Sequence, residues 1–309
     1  MTAPYSKYNL VTVLGPTASG KTSFAAKLAY NIDGEIISAD SRQVYRKMNI
    51  GTGKDYKDYV VNRYRIPVHL TDIAEPGYKY NIFEFRRDFI EAFKNIVSKG
   101  RFPVLCGGSG MYIDAATRGY RLREVPFNKE LRESLKSKSL EELTVLLSGM
   151  KKLHNKTDTD TIEHAVKAIE IETYYKNNPF PEENSPEIKP LYAGILFSRE
   201  QERKRITERL YKRLKEGMIE EVQELLNSGI DAETLSYYGL EYRYITAYLT
   251  GKLKYDEMVS LLNIAIHQFA KRQRTWFRKM EREGCKIHWF DGDKPSEDHI
   301  SAIIAMLEL

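Results

Sequence analysis

Apolar positions along the chain fall into two patterns. Short continuous runs occur at Leu10-Val11-Thr12-Val13-Leu14, Ile36-Ile37-Ser38-Ala39, Ile66-Pro67-Val68-His69-Leu70, Pro103-Val104-Leu105-Cys106 and Leu191-Tyr192-Ala193-Gly194-Ile195-Leu196-Phe197. Runs of this length with little polar interruption predict strands buried on both faces, as in a parallel sheet. Between them, apolar residues recur every three or four positions. Ile82, Phe85, Phe89, Phe93 and Ile96 do so within 81–99, so the phenylalanines are core material. Ile206, Leu210, Leu214, Met218 and Val222 do so after a Ser198/Gln201 capping box, on a helix running to Gly229. A further helix is predicted over 255–282. Such spacing places one stripe of an amphipathic helix against a core.

From about residue 120 to residue 190 the strand-like runs stop and charged helical stretches take over, at 128–150 and 161–175, closed by Asn177-Asn178-Pro179-Phe180-Pro181. The pattern predicts an α/β fold, a parallel sheet flanked by helices with an inserted all-helical subdomain and a helical C-terminal part; the Gly15-Pro16-Thr17-Ala18-Ser19-Gly20-Lys21-Thr22 loop between the first strand and the next helix makes it P-loop NTPase-like. Its divisions are a first core segment over 1–120, a helical insertion over 121–190, and completion of the core with long C-terminal helices over 191–309.

Composition adds bounds. With 309 residues, 42% hydrophobic and 29% charged, the chain can bury a large core. A net charge of +5 admits a polyanionic partner without requiring one. Cys106 and Cys285, far apart in sequence, read as reduced, buried thiols. Residues 1–7 hold no apolar signal core and no run has the length of a bilayer span. The expectation is a soluble, cytoplasmic monomer with no membrane partner. The six histidines show no metal-ligand spacing.

Candidate chemistry begins at Gly15-Pro16-Thr17-Ala18-Ser19-Gly20-Lys21-Thr22, between a strand and a helix. This is a phosphate-binding loop: its amides turn into one concavity, Lys21 supplies a mobile cation, and the Thr22 hydroxyl suits a Mg²⁺ bridging two phosphates. Asp40 follows the next strand, where open α/β sheets bind ligands, and is a candidate general base or magnesium partner; with Gln43 it also fits a helix-capping box. Gly107-Gly108-Ser109-Gly110-Met111-Tyr112 follows another strand and brings the Ser109 hydroxyl to the same rim, or is an ordinary strand-to-helix turn. Lys271, Arg274, Arg278 and Arg282 share one helix face beside Trp276 and Phe277, which suits either solvent or a nucleic-acid backbone. Asn155-Lys156-Thr157-Asp158 matches a guanine-reading tetrapeptide, but with no preceding strand and no Asp-x-x-Gly partner it reads as coincidence.

Together, Gly15 through Thr22, Ile37-Ser38-Ala39-Asp40-Ser41-Arg42-Gln43-Val44-Tyr45, Gly107 through Tyr112 and Ala270-Lys271-Arg272-Gln273-Arg274-Thr275-Trp276-Phe277-Arg278 resemble the tRNA dimethylallyltransferase (tRNA isopentenyltransferase) family, in order from about residue 9 to residue 279. The resemblance implies transfer of a dimethylallyl group from dimethylallyl diphosphate to the exocyclic amine of the adenosine 3′ of a tRNA anticodon. Gly15, Pro16, Thr17, Ala18, Ser19, Gly20, Lys21 and Thr22 would hold the diphosphate, with Mg²⁺ on Thr22. Asp40 would be the base, Ser109 would sit near the bridging oxygen, and Lys21 and Arg243 would face the leaving charge. Asp40, Ser41, Arg42, Gln43, Lys167, His267, Lys271, Arg272, Arg274 and Arg278 would contact tRNA. Several positions depart from the family pattern: Ser109 stands for a threonine, Glu241 for a glycine, and Ile266-His267-Gln268-Phe269 for Thr-Arg-Gln-Tyr. The stretch from Glu163 to Glu170 matches the family's arginine-rich helix only loosely. Three other readings remain open: prenylation of free adenine nucleotides, a P-loop small-molecule kinase, and a non-catalytic RNA-binding protein.

Overall fold

A computed structural model describes residues 7–118, 125–151, 153, 157–178 and 185–308. The chain forms two compact units, one of Met1–Tyr120 with Pro186–Leu309, the other of Arg121–Ser185.

The larger unit is built on a six-stranded sheet. Its strands are β1 (Leu10–Leu14), β2 (Gly34–Ser38), β5 (Val68–His69), β6 (Phe102–Gly107), β7 (Pro190–Leu196) and β8 (Ile287–Asp291), in the order β5-β2-β6-β1-β7-β8. Every pairing is parallel, and β1 is central, with Val13 opposite Cys106 on one side and Ala193 on the other. All residues of β1, β2 and β6 are buried, as the continuous apolar runs require of a sheet covered on both faces. A small hairpin, β3 (Val60–Val61) and β4 (Tyr64–Arg65), precedes β5. The run predicted as a strand over 66–70 pairs only at Val68 and His69. Pro67 has no N–H to give a ladder, and Leu70 turns out with φ 62°.

The helices of this unit are α1 (Lys21–Asn31), α2 (Ile82–Ser98), α3 (Gly110–Thr117), α7 (Arg199–Lys215), α8 (Met218–Asn227), α9 (Ala232–Tyr237), α10 (Leu240–Leu249), α11 (Tyr255–Arg282) and α12 (Ser296–Glu308). α2 begins at an Asn81/Glu84 capping box and buries Phe85, Phe89, Phe93 and Ile96, as its spacing predicts. α11 has the bounds read from the sequence. The single helix expected from Ser198 to Gly229 is two, because Gly217 takes φ 99°, a left-handed conformation that ends α7 and caps α8. β8 and α12 lie in a stretch the pattern left unassigned; α12 buries Ile300, Ile303 and Leu307 in the main core. Cys106 is buried, but Cys285 is partly exposed, so only one of the two thiols is a core group.

The smaller unit contains α4 (Lys129–Leu135), α5 (Leu140–Met150) and α6 (Ile162–Asn177) around Leu135, Leu143, Leu147, Ala165, Ala168 and Ile169. The helix expected over 128–150 is broken in two by Ser139, which starts a fresh helix with a capping box to Glu142. Glu170, buried on α6, pairs with Arg132 at 2.7 Å and accepts the Asn128 N–H at 2.7 Å. Of the tetrapeptide at 155–158, Asn155 and Lys156 lie outside the described residues; Thr157 starts a 3₁₀ turn and Asp158 pairs with Lys151 at 2.9 Å. The turn at Pro179-Phe180-Pro181 also lies outside them. No described helix is long and apolar enough to cross a membrane.

Candidate active site

Between β1 and α1 the loop turns through Ala18 (φ 62°) and Gly20 (φ 74°), which folds its amides toward one side. Lys21 is the first residue of α1, and its ammonium reaches back to the Pro16 carbonyl at 3.3 Å. Burial lowers the Lys21 pKa; Cys106 and Asp40 pull it up, while Arg209 and Arg213 push it further down. The Ser19 hydroxyl is buried with no hydrogen-bond partner among the described residues. Thr17, Lys21 and Thr22 line a small polar recess with Asp40, Gln43 and Thr52, and Ala18 and Gly20 line the open groove beside it. Gly15 and Pro16 are buried behind the loop.

Asp40 lies just past β2, and its Oδ1 accepts the Arg42 N–H at 2.9 Å. No helix follows it. The capping-box reading is therefore corrected: residues 41–44 form turns, and the Gln43 amide is used elsewhere, donating to Gly53 O at 3.1 Å and accepting from the Ser38 hydroxyl at 3.3 Å. Past β6, the Ser109 hydroxyl accepts the Ser41 N–H at 3.2 Å and makes no capping bond to α3, although Ser109 is the N-cap residue. The strand-to-helix turn and the cavity rim are thus the same segment. A cavity of about 500 Å³ opens here, lined by Thr17, Asp40, Ser41, Arg42 and Ser109, by Tyr112, Tyr238 and Glu241, and by Phe269, Arg272 and Trp276 from α11. Trp276 is held by its indole N–H to Asp114 Oδ2 at 2.8 Å. The cavity shares Thr17, Asp40, Thr52, Arg209, Phe269 and Gln273 with the polar recess.

Two arginines here were missed by sequence reasoning. Arg209 and Arg213, one turn apart on α7, both line the cavity. Arg209 donates to the Thr17 hydroxyl, and Arg213, 5% exposed, pairs with Asp55 at 3.0 Å. The preceding turn adds Arg205, whose Nε donates to Ala18 O at 2.9 Å. Burial, with Arg213 beside it, pulls the Arg209 pKa down to about 10. In the sequence only the apolar stripe of this helix stands out; the four-residue spacing of the arginines, which puts them on a shared face, is the one local signal for them. Burial also raises the Glu241 pKa, although Arg209 and Arg213 oppose it.

Other expected contributors lie elsewhere. Arg243 is exposed and lines neither the cavity nor the recess, because its helical position points it away from neighbouring Glu241. Arg274 is engaged by the buried Glu202 of α7 at 2.9 Å, so it ties two helices together instead of standing on a free basic face. The His267 ring shares a 3.2 Å hydrogen bond with the Thr207 hydroxyl, and burial together with Arg203 lowers its pKa. Arg42 stacks over Tyr237 at 5.4 Å and Arg272 over Phe269 at 5.8 Å. Lys271 and Arg278 are exposed on α11, and Lys167 is exposed on α6 of the smaller unit. Among the described residues no cluster of three His, Cys, Asp or Glu side chains could hold a metal. Thr22, Asp40 and Thr52 do offer hard oxygen donors around the recess, a set that fits Mg²⁺ shared with a bound diphosphate.

A phosphate loop after the central strand of a parallel sheet, opening at the strands' carboxyl ends onto an arginine-lined cavity, defines an α/β enzyme core of the P-loop type. A family model described as IPP transferase matches residues 43–280, and the chain belongs to that family. It is 58% identical over 301 residues to tRNA dimethylallyltransferase 2 of Phocaeicola vulgatus, covering 97% of this chain and 98% of the relative. It is 56% identical over 301 residues to tRNA dimethylallyltransferase 1 of Parabacteroides distasonis, with the same coverage. Among solved structures, the full-length tRNA isopentenylpyrophosphate transferase of Bacillus halodurans superposes with a TM-score of 0.71 at 29% identity, over 98% of this chain and 97% of that one. The family resemblance carried by the four motifs is borne out.

Proposed function

We propose that this enzyme transfers the dimethylallyl group of dimethylallyl diphosphate to the exocyclic amine of the adenosine 3′ of a tRNA anticodon. The observation that carries the reading is that the recess holding Lys21 and Thr22 of the phosphate loop and the cavity holding Ser109 share Thr17, Asp40 and Arg209 in their walls. A bond forms between the adenine nitrogen and the first prenyl carbon as that carbon's bond to the diphosphate oxygen breaks. The electron pair of the broken bond leaves with the diphosphate, and the amine proton passes to Asp40. The amine lone pair is delocalised into the ring, so a positioned base assists by roughly 10²–10⁴-fold. Lys21 and Arg209 offset the charge growing on the leaving group, in a recess where burial strengthens each interaction, and Arg213 adds its charge from the adjoining cavity. The Thr22 hydroxyl would hold a Mg²⁺ here, which would supply further positive charge to the leaving group.

The aromatic wall of Phe269, Trp276 and Tyr112 suits an unstacked base and a short apolar tail, and an anticodon-loop nucleotide is among the easiest to extrude. Ser41, Arg42, Arg272, Lys271 and Arg278 face the nucleic acid, and Lys167 of the helical insertion is assigned an RNA contact of its own. The test is incubation with Mg²⁺, labelled dimethylallyl diphosphate and unmodified tRNA, followed by mass spectrometry of digested nucleosides. Prenylated adenosine from beside the anticodon is the expected product. Label in free AMP or ADP alone, or phosphate transfer from ATP to a small acceptor, overturns the reading.

A further inference from the structure

Gln273 belongs to the basic motif on α11, yet neither diphosphate nor RNA recognition accounts for it. Its side chain is 6% exposed and turned inward. Its Oε1 accepts the Thr17 N–H of the phosphate loop at 2.8 Å, and its Nε2 donates to Gly108 O at 2.9 Å. Only one orientation of the amide satisfies both partners, oxygen toward the N–H and nitrogen toward the C=O. The residues it bridges are 256 and 165 positions away in sequence. The next residue after Gly108 is Ser109, whose hydroxyl holds the Ser41 N–H beside Asp40. One amide therefore lies between the loop that would carry the leaving group and the carboxylate that would take the proton. Gly108 is packed to match: a Cβ there would come within 2.4 Å of Gln273 Nε2 and 3.1 Å of Gly15 O. Phe269, Arg272 and Trp276, on the same helix, line the cavity, so this fork also sets where the α11 wall stands relative to both loops.

We propose that Gln273 is a positioning residue: its amide fork between Thr17 and Gly108 sets the spacing of the diphosphate loop from Asp40, and turnover depends on it more than the binding of either substrate does. The proposal rests on the prenyl-transfer reading above. In a reaction between two bound partners the rate depends steeply on their separation, and a displacement of about 1 Å can cost about 10²-fold. Binding is spread over many contacts and depends on it less.

The experiment uses dimethylallyl diphosphate, unmodified tRNA and Mg²⁺ with two variants that break the fork from opposite sides. Gln273→Met keeps the bulk and removes both hydrogen bonds. Gly108→Ala leaves Gln273 in place and displaces its amide, so it carries the test if the first variant does not fold. Concentrations are corrected to folded protein by thermal melting. The expected result is kcat lower by about 10²-fold in both, with KM for each substrate within about threefold of wild type. A kcat within threefold of wild type in either folded variant overturns the proposal, and so does a loss confined to KM for the diphosphate. A wild-type enzyme that prenylates no tRNA overturns the underlying reading instead.

Discussion

The two compact units use buried polar groups in opposite ways. In the sheet unit the buried or half-buried polar side chains at the cavity bond to segments distant in sequence: Gln273 to Thr17, Arg209 to Thr17, Ser109 to the Ser41 amide. They surround a space. In the helical unit the main buried polar contact among the described residues, Glu170 with Arg132 and the Asn128 N–H, closes on neighbouring helices and braces a core with six buried members. Substitution in the first unit should therefore change chemistry with little effect on folding, and substitution in the second should do the reverse.

The largest effect expected is at Asp40. Asp40→Asn should lower kcat by about 10²–10⁴-fold with the affinity for the diphosphate substrate little changed, since an amide keeps the size but takes no proton. An unchanged kcat under saturating substrates removes Asp40 from the base role. Next, Arg209→Ala should lower kcat by about 10²-fold, the usual cost of removing one charge-stabilising donor at a reacting centre, with the melting temperature nearly constant. A large fall in melting temperature with unaltered turnover would mean that the arginine row is structural and would erase the contrast between the units.

In the helical unit, Leu143→Ala should cost about 2–5 kcal/mol locally, read as faster hydrogen exchange of α5 and α6 amides while β1 and β6 stay protected. Glu170→Gln should cost roughly 2–3 kcal/mol, between the values for an exposed and a fully buried ion pair. This contribution depends on pH. The Arg132 guanidinium, aided by the Asn128 N–H, holds the Glu170 carboxyl below its ordinary value of 4.5 against the opposing effect of burial. The folded state thus binds fewer protons than the unfolded one, and the stabilisation is full above pH 4.5 and lost as pH falls through the folded-state value. Acid titration followed by hydrogen exchange should show α6 loosening in wild type, and Glu170→Gln should lack that step. The smallest effect expected is at Arg243. Exposed and outside the cavity, its change to alanine should leave kcat for the diphosphate substrate within about twofold; a tenfold loss would place it back at the leaving group.

The same contrast governs what could be read from the residues in order. The phosphate loop, the turn after β2 and the glycine turn after β6 are each made within a few consecutive residues, and strand and helix periods are local too. Hence Lys21, Thr22, Asp40 and Ser109 were found together at one rim of a parallel sheet, and α2 and α11 were legible from their stripes. Misreadings arose where a single backbone angle or a distant partner decides. Gly217 ends α7 by taking a left-handed conformation, which the unbroken apolar stripe concealed. Arg274 looks free on a helical wheel and is claimed by Glu202 from a helix 72 residues earlier.

By itself the amino-acid order determined the fold class, the turn between β1 and α1 and the family, because those follow from short-range patterns and from motifs in series. Which cations reach the loop was decided only by tertiary packing. Arg209 and Arg213 enter the cavity while Arg243 stays outside because the rotation of α7 and α10 about their axes is set by the apolar faces they bury. The bridge made by Gln273 exists for the same reason: α11 docks with its inward face against two loops that are adjacent in space through the pairing of β1 with β6. Register between elements is a property of contacts between distant residues, and no local spacing encodes it.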